Sequence, residues 1–517
     1  MQNPIVKNIL ACFVLVVLCF IVGSLVTESY VASSGVLALL FGMAFMLFMG
    51  TRSWMLIFLL APLIEALPMP GPLSKLPGGF LIAACVLGYW ALMWLVGQAR
   101  FRWRSLGLVD VMVLILVIIM VSTYIRRPVI VAFLGMEGDN IGGAEYIHFL
   151  LGIIYYVALS CIPVSSQQLA RILNISVVLK VGVAFVLLLL LLAGVGGNAY
   201  DMSNLGDESA KLRISHFQVY GSTFALAIFS YFSLRSVLIN PFLLVSSAIS
   251  MGLIVLGGSR NRAGMAVLNI MAMLIIKREV LISIVVGAVA YAMLLVVSLG
   301  GGLNMLPFAA QRVLAMMPGL QVSNAAVRDG NATWDWRENL WELAWDKRTG
   351  YIKNYVFGDG YGLSRAVIDR GRRAYMRGET RAGEELDGFA TSGIWHNGVI
   401  TVIHRIGYVG LVAIAVWGIL GGFYAVKTCC AWRGNPLFSP LLFYATPLIV
   451  LPPNFIWGMA GESELFYHFG PLALIKVAYC MARDEGRIEP LFRRRCYQPL
   501  MIQEHGERIH SPLAQVR

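Results

Sequence analysis

The chain has 517 residues, 58% of them hydrophobic and 13% charged, with a mean hydropathy of +0.74 and a formal net charge of +12. That apolar content excludes an ordinary soluble domain. The basic excess would suggest nucleic acid in a soluble chain, but here it falls largely in short loops between apolar runs and in the C-terminal tail, so it reads as an orientation signal and nucleic acid is not an expected partner.

Apolar runs of roughly 14 to 22 residues predict an all-α polytopic membrane protein of about 12–14 transmembrane helices. In chain order they are Ile9 to Val26, Val31 to Met49, Trp54 to Leu67, Gly79 to Gly97, Leu106 to Tyr124, Tyr146 to Ile162, Asn174 to Val195, Ser215 to Ser233, Pro241 to Leu256, Ala263 to Ile276, Val280 to Leu299, Gly407 to Val426, Leu437 to Leu451 and Leu465 to Met481. The first run lacks a small-residue cleavage site and another run follows at once, so it does not read as a cleaved signal peptide.

With the N-terminus in the cytoplasm, Lys7, Arg52, the cluster Arg100, Arg102 and Arg104, then Arg171, Arg235, Lys277, Arg278, Lys427, Arg433 and the tail from Arg483 all fall inside. Arg126 with Arg127 is the main exception, followed by Lys211 and Arg213; an exported-side arginine is either tolerated or wanted for an anionic ligand. The organisation is then an N-terminal transmembrane bundle over 1–299, an exported loop over 300–396, C-terminal transmembrane helices over 397–482 and a basic cytoplasmic tail over 483–517. A loop of that length in a compact design is commonly functional. Its Trp334, Trp336, Leu340, Trp341, Leu343, Ala344 and Trp345 recur at helical spacing and predict an amphipathic helix at the membrane interface, with Arg337 near its start. The loop has no cysteine, and the chain has no His/Cys spacing of the kind that holds zinc and no phosphate-binding or dinucleotide-binding glycine pattern.

Three constellations lie on the exported side. The first is Gly257-Gly258-Ser259-Arg260-Asn261-Arg262-Ala263-Gly264, between two apolar runs. Arginines there are costly unless they face water or an anion, and their planar donor fork suits phosphate; the competing reading is a tight turn whose arginines reach for headgroups. The second is Asp335 to Trp345 with Arg337 and Trp341, followed by the glycine-rich Gly358-Asp359-Gly360-Tyr361-Gly362. Here the competing reading is an interfacial helix whose Arg337 pairs with Asp335, Glu338 or Glu342 on its own surface. The third is His396-Asn397 at the mouth of a span, where a titratable ring meets the membrane surface; elsewhere such a histidine is more often a satisfied hydrogen-bonder than a catalyst. His404, eight residues on, falls about 80° round the helix and two turns deeper, so it need not face the same site.

The order and spacing of these elements resemble the O-antigen ligase and O-antigen polymerase superfamily of bacterial lipid-linked glycan transferases. The matching residues are Ser259-Arg260-Asn261-Arg262-Ala263-Gly264, Arg337 with Trp341, Gly358 to Gly362, His396-Asn397, and Gly407-Tyr408-Val409-Gly410-Leu411. They cover roughly the middle third of the chain. Where the family often has an acidic residue before the last motif, this chain has Arg405. Either Arg260 or Arg262 fills the family's arginine position, with Arg262, immediately before Ala263-Gly264, the better fit.

The resemblance implies a metal-independent glycosyltransferase without a cofactor, sited in the bacterial inner membrane with both termini cytoplasmic. It would move a saccharide from undecaprenyl pyrophosphate to a hydroxyl of a glycan, lipid A core or protein acceptor, making lipopolysaccharide or another exported polysaccharide. Arg262 and Arg337 would stabilise charge on the pyrophosphate, with Arg260, Arg213, Trp341 and Asn397 in substrate binding, and His396 would take the acceptor proton. Ligase and polymerase stand level. A flippase of the same lipid-linked saccharide, dependent on charges such as Glu65, and an exported-side scaffold are readings from other classes.

Overall fold

The computed structural model describes residues 49–66, 78–97, 103–129, 140–141, 143–193, 215–346, 348, 350–364, 389–390, 393, 395–457 and 463–488. The expected first two spans, Arg213 and the tail beyond 488 lie outside the described residues, as does the Glu65 side chain.

The chain is an all-α polytopic membrane protein. Every run expected from Trp54 onward is helical. The helices are α1 (Met55–Ala66), α2 (Gly78–Leu95), α3 (Leu108–Arg126), α4 (Ala144–Ser160), α5 (Ser166–Leu192), α6 (Ser215–Tyr231), α7 (Leu234–Ile239), α8 (Pro241–Leu256), α9 (Arg260–Lys277), α10 (Val280–Leu299), α11 (Phe308–Leu314), α12 (Asn324–Trp345), α13 (Gly398–Ala431), α14 (Phe438–Ile449), α15 (Leu451–Trp457), α16 (Ser463–Phe466) and α17 (Phe469–Asp484). Among the described residues five helical stretches are long and apolar enough to cross a membrane: α3, α5, α10, α13 and the continuous stretch Phe438–Trp457. Ile82–Leu95, Glu145–Ser160 and Pro241–Leu256 are shorter apolar helices. A two-residue antiparallel ladder, β1 (Asn140–Ile141) with β2 (Leu363–Ser364), ties the segment before α4 to the long loop.

The bundle is built around α17, which is buried from Leu472 through Ala482. It packs on α4 and α13, while α13 also lies against α3, α14 and α15. A helix apolar all round sits inside other helices, and its one buried cation must be paired. Lys476, fully buried, lies 2.6 Å from Asp110 Oδ1, which also accepts from the Tyr156 hydroxyl at 2.5 Å. Asp110 Oδ2 accepts the Leu106 N–H at 2.7 Å and the Ser105 hydroxyl at 3.1 Å. The Trp103 ring lies 3.9 Å from the Lys476 ammonium. At the same end Arg104 donates to the Ile162 carbonyl, Arg433 to that of Ile276, and Lys277 to that of Phe232. Three of the basic residues assigned to the inside, Arg104, Lys277 and Arg433, thus join neighbouring helix ends.

α13 begins nine residues before the expected span and is broken inside it. Gly407 adopts φ 72°, ψ −176°, so the carbonyls of His404 and Arg405 lose their partners on Tyr408 and Val409. The long loop takes up all four groups. Asp359 N–H donates to the His404 carbonyl (2.6 Å), Gly360 N–H to Arg405 (2.9 Å), Tyr408 N–H to Tyr355 (2.8 Å) and Val409 N–H to Val356 (3.2 Å). The backbones come so close that a Cβ on Gly358 would overlap Arg405, and one on Gly407 would overlap the Val356 carbonyl. Both glycines are also left-handed, which an L side chain tolerates poorly. The glycine-rich turn and the Gly-x-x-Gly of the next span, separate in the sequence, are two halves of one junction.

Gly358→Ala or Gly407→Ala is expected to destabilise the protein by at least about 2 kcal/mol, seen as a lower thermal midpoint in detergent with faster proteolysis of the 350–364 segment. Lys476→Met should cost about 3–5 kcal/mol by stranding the Asp110 carboxylate, and adding Asp110→Asn should restore the greater part of the melting temperature, because the neutral amide oxygen can accept the Leu106 N–H while its NH2 donates to the Tyr156 hydroxyl oxygen.

Candidate functional site

α12 is the amphipathic helix expected in the loop, and Leu340 and Ala344 are its fully buried face. They join Ile352, Ala390, Trp395 and Ile400 in a small core, with Trp336, Trp341 and Phe389 packed against it. This aromatic core fastens α12 onto the first turn of α13, and the Trp341 indole N–H donates to the Trp395 carbonyl at 2.9 Å. Arg337 is not near the start of α12 as the sequence pattern suggests. The helix begins at Asn324, so Arg337 lies about three and a half turns along it, level with the junction to α13.

His396 follows Trp395 and precedes the helix. Asn397 caps α13, its side-chain oxygen accepting the N–H groups of Val399 (2.9 Å) and Ile400 (3.2 Å). The half-buried His396 imidazole packs edge-on against Trp336 (ring centroids 5.4 Å apart) and Phe389 (5.1 Å). Burial, and then the positive charge of Arg337, push its pKa below the ordinary 6.5. The ring is therefore held towards the neutral form, in which one nitrogen can accept a proton. Sequence reasoning missed Phe389 entirely, and Trp336 was legible only as an interfacial aromatic.

The arginines of α9 divide. Arg260 reaches across Gly330 of α12, where a Cβ would come 2.8 Å from its Nη1. It donates to the Asp329 carbonyl, the Asp329 carboxylate and the Thr333 hydroxyl, each at 3.3 Å. Buried Arg312 approaches the same carboxylate at 2.7 Å, so two guanidiniums meet at Asp329. Asp329, Thr333 and Arg337 are spaced i, i+4 and i+8 and form one stripe. Arg337 thus follows the Arg260 contact by about 6 Å along α12. Arg262 is exposed, and two residues turn it about 200° away from Arg260. The motif pattern favours Arg262, but it is Arg260 that the structure joins to α12.

Arg126 and Arg127, the exceptions to the charge pattern, also hold the loop. Arg126 donates to the Phe357 carbonyl at 2.8 Å and lies over the Phe357 ring, while Arg127 approaches Asp359 at 4.0 Å. Arg405, standing where a carboxylate is expected, pairs with Glu145 of α4 at 3.2 Å and covers the Tyr361 ring. Among the described residues no group of three or more His, Cys, Asp or Glu side chains is placed to hold a metal ion. No protein-family model matches this chain, and no curated protein matches it.

An NMR titration of His396 should give a midpoint below 6.5. Arg337→Gln should move it upward without returning it fully to the ordinary value, because burial, the larger cause, remains.

Proposed function

We propose that the protein is a membrane glycosyltransferase that moves a saccharide from undecaprenyl pyrophosphate to an acceptor hydroxyl on the exported face. The observation that carries this reading is the packing of His396 against Trp336 of α12, the residue before Arg337, where the charge of that guanidinium acts on a neutral-leaning imidazole. An acceptor hydroxyl attacking the anomeric carbon must lose its proton, and His396 takes it. As the bond from the anomeric carbon to the phosphate oxygen breaks, its electron pair passes to the pyrophosphate. Arg337, with Arg260 and Arg312 gathered at Asp329 on the same helix, stabilises that developing anion. Asn397 fixes the helix end on which His396 stands, and Trp341 anchors the backbone before it. Arg262, exposed at the first turn of α9, is open to contact with substrate.

The depressed pKa has a functional sign. A base that stays neutral to lower pH keeps its activity there, so the acid limb of the rate profile lies below 6.5 and moves up in Arg337→Gln.

The test is release of labelled saccharide from undecaprenyl pyrophosphate in reconstituted vesicles. Against wild type, His396→Ala should lower turnover about 10²–10⁴-fold and Arg337→Ala about 10²–10³-fold, at equal thermal stability. Product size then separates a polymer from a single transfer to an acceptor lipid. Labelled lipid that crosses the bilayer intact, with no saccharide released to any acceptor, would move the assignment to a flippase.

A further inference from the structure

His404 is set apart from His396 by the periodicity of a continuous helix, yet the structure connects the two through Trp395. The Trp395 indole N–H donates to His404 Nδ1 at 2.9 Å. An indole nitrogen only donates, so Nδ1 is the acceptor and the ring proton of His404 sits on Nε2. Nε2 faces Asp359 Oδ2 at 3.9 Å, and that oxygen is itself held by the Lys353 N–H at 2.7 Å. Asp359 belongs to the glycine-rich turn, whose backbone is bonded to the broken part of α13 at His404 itself. Gly393, in a left-handed conformation two residues before Trp395, completes the enclosure: a Cβ there would stand 3.1 Å from His404 Nδ1.

What this arrangement fixes is the residue that follows. His396 has φ 47°, one of two non-glycine residues with positive φ among those described. That conformation is disfavoured by roughly tenfold in population and persists only where neighbours impose it. Trp395 is fully buried and gripped on three sides, by Trp341 at its carbonyl, by Thr401 at its N–H (3.4 Å) and by His404 at its indole. With the residue before His396 immobilised and Asn397 after it committed to capping α13, the chain between them has one route, and the imidazole is delivered to Trp336 and Phe389.

We infer that His404, oriented by Asp359, is a positioning residue that holds Trp395 and so sets the left-handed backbone and ring placement of His396. His404 touches no reacting atom in this assignment. Its consequence for turnover rests on the transferase reading above, whereas its consequence for the geometry of His396 does not.

The test uses the full-length protein in lipid nanodiscs and follows carbethoxylation of His396 by diethyl pyrocarbonate, read by mass spectrometry. His404→Phe keeps a flat aromatic ring, somewhat larger, and removes the acceptor. It should let His396 leave its slot and raise its modification rate about tenfold. His404→Gln offers a carbonyl to the indole and an amide to Asp359, and should return the rate to within about twofold of wild type. Trp395→Phe removes the donor from the other side and should reproduce the effect of His404→Phe, with the double variant no worse than either single one, as expected for partners in one interaction. Because Trp395→Phe leaves His404 intact, it tests the same contact if His404→Phe does not fold. An unchanged His396 rate in a folded His404→Phe or Trp395→Phe variant overturns the inference. In the saccharide-release assay His404→Phe should lower kcat more than it raises KM for the lipid-linked donor. If wild type releases no saccharide, the transferase reading fails by itself, and the modification rates still decide the role of His404.

Discussion

The break in α13 at Gly407 is the constraint on which the outer half of the molecule depends. An apolar surrounding offers no water to satisfy freed backbone groups, and each one left alone costs several kcal/mol. The break frees two carbonyls and two N–H groups, and the segment from Tyr355 to Gly360 meets all four. The loop is thereby fixed to the bundle by main-chain hydrogen bonds rather than by side-chain contacts alone. Once Tyr355 to Gly360 are held, Tyr355 can donate to the Ala344 carbonyl at 2.8 Å, and α12 is set over the start of α13. His396, Arg337 and Trp341 come together as a result of that docking.

Charge is distributed to serve the same end. At one end of the bundle Arg104, Lys277 and Arg433 tie helix termini through carbonyls, and Lys476 with Asp110 forms a buried pair whose remaining hydrogen-bonding capacity is filled by Leu106, Ser105 and Tyr156. At the other end Arg126, Arg127 and Arg405 are engaged with the loop or with Glu145. Arginines that contradict a charge-based orientation rule thus have a structural use, which accounts for the exceptions without altering the rule. Along the α12 stripe two arginines from other helices, Arg260 and Arg312, meet at the one carboxylate of Asp329.

Different parts of this arrangement were legible to different degrees. The spans read directly, because a helix that faces lipid has to be apolar along its whole length; α10, with 6% of its apolar window buried, is recognisable by composition alone. The amphipathic α12 was legible from its tryptophan spacing, but its start was not, since Ser323 caps a polar first half that carries no apolar period. Asn397 as the cap of α13 follows from residue type and position. The preference for Arg262 over Arg260 came from a local motif, whereas the choice depends on which helix face meets Gly330 and Thr333. Phe389 and Asp359 join the site from separate parts of a long loop; the glycine-rich motif marks the turn that carries Asp359, and nothing local marks Phe389.

By itself the sequence determined the class of protein, the course of its apolar helices and the set of polar residues with chemistry to offer. These follow from hydropathy and backbone preference, which act over a few residues at a time. Tertiary structure alone decided which of those residues meet. The partner of Arg260 is 69 residues away, that of Arg405 is 260 away and that of Lys476 is 366 away. The backbone groups freed at Gly407 find theirs in a loop some fifty residues earlier, with distances in the chain that carry no local signal. His404, set apart from His396 by helical periodicity, still meets Trp395, because Trp395 and His396 lie before the cap of α13 and periodicity predicts faces only within the helix.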